Sequence, residues 1–376
     1  MTERFRVQRP QLDITRPQLD TATLRLLERM PKAELHLHLD GSLRPETALE
    51  LARARGLASD LDLVGMRSRL TAPARRADQA GLLRAFDLPI EILQDGEALA
   101  RTTAELVEDV ASDGTVYAEI RWAPALHTRG GLSLRDGIQA VLDGVRAGVA
   151  SAAEDGRDVA VGLIAVAMRS HDPALNADVA SQAARVRGDG LAGFDLAGPE
   201  AAHPDPLTHR RAFEMARGGG LGITVHAGEW GGAGQVRRAL SVGPTRIAHG
   251  APAADDPSLV AELIARGVTL DLCPTSNLQA GLVGRLEDHP LPRLVRAGVP
   301  ATLSTDDRTV SDLTLVREYE RAVSVLGLTL SELWRVNRHA LEVAFLQDDE
   351  GLRTQLLRTF DDWAADEPAI TTPSSA

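Results

Sequence analysis

The sequence predicts an α/β protein, a (β/α)8 TIM barrel with a helical lid insertion between its first and second strands. Three observations carry that prediction. Eight short apolar runs rich in Val, Ile and Leu recur along 376 residues. Polar turns and stretches with apolar residues at helical spacing separate them. Histidines and carboxylates collect at the ends of the runs. Strands alternating with helices imply parallel pairing, and eight such units suffice to close a barrel. A doubly wound open sheet is the other architecture that the alternation permits.

Taken in order, residues 1–22 read as a flexible N-terminal arm that carries RPQLD twice, at Arg9–Asp13 and Arg16–Asp20. The arm is polar and offers no signal-peptide core. The expected strands are Ala33–Leu39, Val116–Trp122, Val159–Ala167, Gly193–Leu196, Gly222–Val225, Arg246–Ala248, Gly267–Leu272 and Pro300–Ser304. The first connection, about 41–115, is far longer than an ordinary βα loop and is largely helical in pattern. A segment of that size at a barrel mouth is expected to be a lid or a specificity element. Later helices begin on good caps, Ser133 and Asp256 among them. Residues 23–365 form one barrel domain in this reading, and 366–376, ending EPAITTPSSA, a disordered tail.

Hydrophobic residues make up 44% and charged residues 25%, which suits a globular chain with a large core. A net charge of −12 argues against nucleic acid or an anionic membrane as partner. No apolar run approaches the roughly 20 residues of a membrane helix. The single cysteine, Cys273, excludes an internal disulfide and a multi-cysteine metal cluster. A cytoplasmic protein is expected. Lys32 is the only lysine.

In a barrel, functional side chains sit at the C-terminal ends of the strands. The first expected strand ends Glu34-Leu35-His36-Leu37-His38-Leu39-Asp40-Gly41. Residues i and i+2 share a face, so His36 and His38 point together and can share one metal. The fifth ends in His226-Ala227-Gly228-Glu229, the sixth in His249-Gly250 and the eighth in Ser304-Thr305-Asp306-Asp307. Each has an ordinary structural reading: a core histidine, a turn histidine, an N-cap pair. Jointly they fall on one rim. Three histidines and one aspartate make a nitrogen-rich site suited to one Zn²⁺ per chain, with Fe²⁺ or Co²⁺ as alternatives. A second metal would need a bridging ligand. Lys32 precedes the first strand, Glu200 is a conceivable bridge, and a single metal is favoured, leaving His249 to act as a base.

The segments Pro31–Gly41, Tyr117–Trp122, Gly193–Glu200, His226–Glu229, Arg246–Gly250, Cys273–Asn277 and Ser304–Asp307 occur in this order across residues 31 to about 345. In them the chain resembles the adenosine deaminase family, within the metal-dependent amidohydrolase barrels. The resemblance implies hydrolytic deamination of a 6-aminopurine nucleoside, adenosine or 2′-deoxyadenosine, to the inosine form plus ammonia, by a metal-activated water. It implies metal ligation by His36, His38, His226 and Asp306. It makes His249 the residue that orients and deprotonates the water, and sets Glu229 at purine N1, Asp307 at N7 and the Gly198 N–H at N3. Asp40 and His38 fall near the ribose 5′ position. Glu229 can donate to N1 only as the acid, which burial favours.

Three departures bear on the substrate. Arg308 follows the paired aspartates where relatives often have proline, Leu82 stands where they often have phenylalanine, and Arg121 and Arg169 lie near strand ends. Extra arginines can admit an anionic 5′ substituent, which raises 6-aminodeoxyfutalosine, in menaquinone biosynthesis, as the alternative substrate. Their structural reading is pairing with nearby carboxylates. More remote readings are another amidohydrolase-type barrel hydrolase, acting on an amide or ester, and a non-catalytic nucleoside-binding barrel.

Overall fold

The computed structural model describes residues 19–58, 60–72, 79–346 and 349–371. Its strands are β1 (Lys32–His38), β2 (Thr115–Trp122), β3 (Ala160–Met168), β4 (Leu191–Ala197), β5 (Gly222–Ala227), β6 (Arg246–His249), β7 (Thr269–Leu272) and β8 (Ala301–Leu303). They pair in sequence order, every pair parallel. Past the end of β8, Asp306 N donates to His36 O at 3.0 Å and His38 N donates to Asp306 O at 2.7 Å. The last strand thus meets the first, and the open-sheet alternative is excluded. Each strand coincides with an expected apolar run to within a few residues.

Parallel strands are covered on both faces, and the alternation along β1 separates the two. Leu35 and Leu37 are fully buried in the main apolar core, while Glu34, His36 and His38 take the intervening positions. Below the mouth the barrel is filled by ion pairs rather than by the usual branched aliphatics. Arg121 meets Asp195 at 2.9 Å, Arg246 meets Glu119 at 2.5 Å and Asp271 at 3.1 Å, and all five side chains are solvent-inaccessible. The Arg246 guanidinium also lies 3.9 Å from the centroid of the Phe345 ring. That ring approaches the barrel because position 222 is glycine; a Cβ there would lie 2.3 Å from it.

The connection between β1 and β2 is helical, as expected: Pro45–Ala54, Leu63–Leu70, Gln79–Leu83, Asp87–Ile92 and Gly96–Ser112. Its Ala72, Leu82 and Ala85 pack with Ala280 and Val310 from the loops after β7 and β8, with Phe86 and Trp230 against them. The expected caps form, Ser133 accepting from Asp136 N and Asp256 from Ser258 N and Leu259 N.

Both ends are more ordered than their composition suggests. Asp20 accepts from Thr23 N at 2.7 Å and caps a helix over Thr21–Arg29, so ordered structure begins inside the stretch expected to be an arm. The first RPQLD and most of the second lie outside the described residues. At the other end Pro368–Thr371 forms a helical turn whose Ile370 is 2% exposed, and Glu367 pairs with Arg29 at 2.8 Å. The tail expected from 366 is corrected to that extent, because one apolar side chain among polar neighbours finds the core; residues 372–376 lie outside the described set. Among the described residues no helix is long and apolar enough to cross a membrane.

Candidate active site

The strand ends bring the expected side chains to one point. His36 and His38 come from β1, His226 from β5, His249 from the end of β6 and Asp306 from just beyond β8. His36 Nε2 lies 2.9 Å from Asp306 Oδ1, and His38 Nε2 lies 3.4 Å from the same oxygen and 3.2 Å from His226 Nε2. Donor atoms of His36, His226, His249 and Asp306 all fall within 4.8 Å of one another. His249 and Asp306 both hold φ of 66°. Left-handed backbone is uncommon for such residues, and strain of this kind clusters at functional sites.

Five groups converge. A tetrahedral ion with ligands at about 2.0–2.1 Å places those ligand atoms roughly 3.3 Å apart. The pairs His36–Asp306, His38–Asp306 and His38–His226 show about that spacing; His249 Nε2 stands 3.9 Å from Asp306 Oδ2 and 3.8 Å from Glu229 Oε2, yet belongs to the group of four donors within 4.8 Å of one another, which His38 does not. His36 Nδ1 is buried without a hydrogen-bond partner, and Nε2 has only the Asp306 carboxylate within reach. Burial holds the His36 imidazole well below its ordinary pKa and brings His38 down to about 3. Burial alone would raise Asp306, but the imidazoles of His36 and His249 hold it well below the carboxylate range. Neutral imidazoles and an ionised carboxylate are the forms that bind a metal.

Supporting groups orient these donors. Asp195 Oδ2 lies 2.8 Å from His226 Nδ1, which turns Nε2 toward the cluster, and Ser276 donates from Oγ to Asp306 Oδ2 at 2.6 Å. Such partners set the direction and basicity of a ligand.

Beside the cluster stand carboxyls whose pKa burial pushes up. Glu229 is 16% exposed, and burial followed by the charges of Asp306 and Glu200 pushes its pKa well above the usual value. Burial, Asp306 and Asp40 do the same to Asp307, and burial raises Asp40 to about 6. Asp307 Oδ1 and Asp40 Oδ1 are buried without a hydrogen-bond partner. Asp307 packs so closely on residue 41 that a Cβ there would meet its Oδ1 at 1.7 Å. Glu200 does not approach the cluster as a bridge. It accepts from Gly228 N, Trp230 N and Gly231 N at 2.7, 2.9 and 3.1 Å, and so holds the loop that carries Glu229. Gly198 has φ of 103°, a conformation that frees its N–H at the end of β4 only for glycine. Ala123, Val166 and Ala197, with Leu126 and Met168, form an apolar wall next to it.

The arginines are engaged internally. Arg121 is inaccessible and pairs with Asp195, Arg308 pairs with Asp113, and Arg169 donates to His203 O at 3.0 Å and His226 O at 2.8 Å. The expected offer of positive charge at the ribose end is corrected to that extent. Carboxylates take one end of Arg121 and of Arg308 and two backbone carbonyls take Arg169, while the Nε of all three stays buried without a hydrogen-bond partner. Lys32 opens β1 at the opposite end of the barrel and donates to Glu28 O and Met30 O. Asn277, His289, Asp195 and Ser276 escaped the sequence reading as site residues. Three of them lay inside the quoted segments Gly193–Glu200 and Cys273–Asn277; His289 lay in none, and it is 3% exposed and bonded to Asn277.

The chain matches the profile of the family described as "Adenosine deaminase" over residues 31–363. It is 38% identical over 342 residues to the adenosine deaminase of Mycolicibacterium vanbaalenii, covering 87% of this chain and 93% of that one. It superposes on the crystal structure of adenine deaminase from Arthrobacter aurescens with a TM-score of 0.79 at 28% identity, covering 89% and 99% of the two chains. The N6-methyl-AMP deaminase of Arabidopsis thaliana gives a TM-score of 0.79 at 28% identity, covering 91% and 99%.

Proposed function

The chain belongs to the adenosine deaminase family, and from that premise we propose that it deaminates a 6-aminopurine nucleoside hydrolytically, releasing ammonia. The observation that carries this reading is a little-exposed carboxyl, Glu229, 3.8 Å from His249 Nε2 beside a cluster of histidines and an aspartate, with its pKa pushed up by burial and neighbouring charge. His36, His38, His226 and Asp306 would hold the metal, one Zn²⁺ per chain. A divalent ion there polarises a water and lowers its pKa toward about 7.

The residues of the chain divide the rest of the work. Addition of water at C6 breaks the aromaticity of the ring and sends negative charge to N1. Glu229, as the acid, donates to N1 as that charge develops; of the two protons of the water, one passes to the amine, which leaves as ammonia, and the other restores the Glu229 acid. Asp307, also held as the acid, donates to N7, and the Gly198 N–H donates to N3. These contacts seat the base against the wall of Ala123, Val166 and Ala197. His249 Nε2, close to both Glu229 and Asp306, faces the attacking oxygen. Asp40 and His38 face the ribose, and the helical insertion closes over the mouth through Leu82 and Ala85. Since Arg121, Arg169 and Arg308 are engaged, adenosine and 2′-deoxyadenosine are favoured over an anionic 5′ substituent.

A parallel determination of kcat/KM for adenosine, 2′-deoxyadenosine, adenine, AMP and 6-aminodeoxyfutalosine, followed by the adenine-to-hypoxanthine absorbance change, tests the reading. Metal analysis on the same sample distinguishes Zn²⁺ from Fe²⁺ and Co²⁺. The two neutral nucleosides should lead. A higher value for AMP or 6-aminodeoxyfutalosine would reassign the 5′ end, and inertness of metal-loaded protein on all five would remove the deaminase reading.

A further inference from the structure

We infer that His289 and Asn277 form a one-way hydrogen-bond relay that fixes His249 with its proton on Nε2, so that His249 faces the reacting centre as a donor. The relay starts at a group whose direction is not negotiable. The backbone N–H of Leu291 donates to His289 Nδ1 at 3.2 Å. A backbone amide cannot accept there, so Nδ1 carries a lone pair, and the proton of the neutral ring sits on Nε2. His289 Nε2 lies 3.1 Å from Asn277 Oδ1 and donates to it. That bond settles which end of the Asn277 amide faces which histidine, and its Nδ2 donates to His249 Nδ1 at 3.1 Å. His249 Nδ1 is therefore an acceptor, and the only remaining place for its proton is Nε2, the nitrogen near Glu229 and Asp306.

The surroundings allow no reversal. His289 is 3% exposed, Asn277 and His249 are 0% and 1% exposed, and burial keeps the His289 imidazole neutral down to about pH 3. Turning the Asn277 amide over would set donor against donor at the His289 end and acceptor against acceptor at the His249 end, in groups too buried for solvent to reach. The Leu291 N–H that drives the relay belongs to the first turn of the helix Leu291–Arg296, where it has no partner within the helix. His249 thus orients the attacking oxygen by donating to it, and does not withdraw its proton through Nε2. His289 and Asn277 are positioning residues, acting on the reaction only through His249.

The effect on turnover rests on the deaminase reading; the tautomer does not, so the two can fail separately. Long-range ¹H–¹⁵N correlation spectra of the full-length protein labelled at histidine nitrogen show which ring nitrogen bears the proton, with or without metal. The His249 signal, identified by its loss in His249→Gln, should carry its proton on Nε2. Asn277→Asp presents an acceptor to both histidines and should move the His249 proton to Nδ1, with kcat falling on the order of 10²-fold, as for loss of one preorganised donor, and KM little changed. His289→Phe should leave His249 in a mixture of tautomers with an intermediate loss. His289→Gln keeps a donor to Asn277 Oδ1 and should restore both the signature and the rate. A wild-type His249 protonated on Nδ1, an Asn277→Asp protein whose His249 signature is unmoved, or a tautomer switch that leaves kcat intact would each overturn the relay. If the tautomers behave as stated while no substrate turns over, the deaminase reading fails and the relay stands.

Discussion

Glu229 sits where a carboxyl resists ionisation: little exposed, with the charges of Asp306 and Glu200 nearby. If it donates to the substrate as the acid, activity is present below its raised pKa and is lost as pH rises through it. Glu229→Gln should keep the metal while kcat falls roughly 10²–10⁴-fold. The alkaline limb of the kcat profile should vanish with it. Metal analysis beside steady-state rates checks this, and a Glu229→Gln protein that turns over at near-normal rates would take the proton donor away from this position. The residue was legible as a candidate because it stands three positions after a strand-end histidine. That burial would favour its acid form was also expected; the added push from Asp306 and Glu200, distant in sequence, was not. His249 is the reverse case. Its place at a strand end was plain, and the reading made it a base; the groups that settle its tautomer lie in a loop that periodicity does not mark.

The loop after β5 is held by one side chain. Glu200 accepts from Gly228 N, Trp230 N and Gly231 N, and nothing else is shown to take those hydrogens. Glu200→Ala removes the acceptor from three amide donors in a turn that runs from buried Gly228 to exposed Gly231; the buried Gly228 N–H costs about 1–3 kcal/mol if left unpaired, the others less. The expected outcome is a looser loop: a red shift in Trp230 emission and a fall in kcat of about tenfold or more, with metal content unchanged. Unaltered emission and rate would show that the packing of Trp230 against Leu82 and Ala280 suffices. The strands themselves were readable element by element, because fully covered parallel strands are apolar runs with a period of two. The inward faces of β1, β2 and β6 were less so. Glu119, Arg121 and Arg246 interrupt the apolar pattern, and only their pairing across the barrel explains why it tolerates them.

At the scale of the whole molecule two features bind distant segments. One is the ion layer beneath the site. Arg246→Met leaves Glu119 and Asp271 buried without their partner and should cost about 3–5 kcal/mol in urea unfolding, while the surface pair Arg338–Asp361 should cost far less when broken. Equal costs would deny the layer its role. The other is the cluster of histidines and an aspartate proposed to hold a metal, drawn from β1, β5 and the segment after β8. An ion present at a thousand times its dissociation constant stabilises by about 4 kcal/mol. Dialysis against a chelator should therefore lower Tm by several degrees, with recovery on adding Zn²⁺; an unchanged Tm would mean that the cluster holds no ion. The order of strands, the length of the helical insertion and the residue types at each rim position were all written locally, in periodicities and spacings that a linear chain can express. Closure of the barrel decided the rest: how closely the five converging groups approach one another, which carboxylates and carbonyls the arginines near the mouth meet, and which way protons point along Leu291, His289, Asn277 and His249. Those properties belong to pairs of residues up to about 270 positions apart, such as His36 and Asp306, and a pair exists only once the chain has folded.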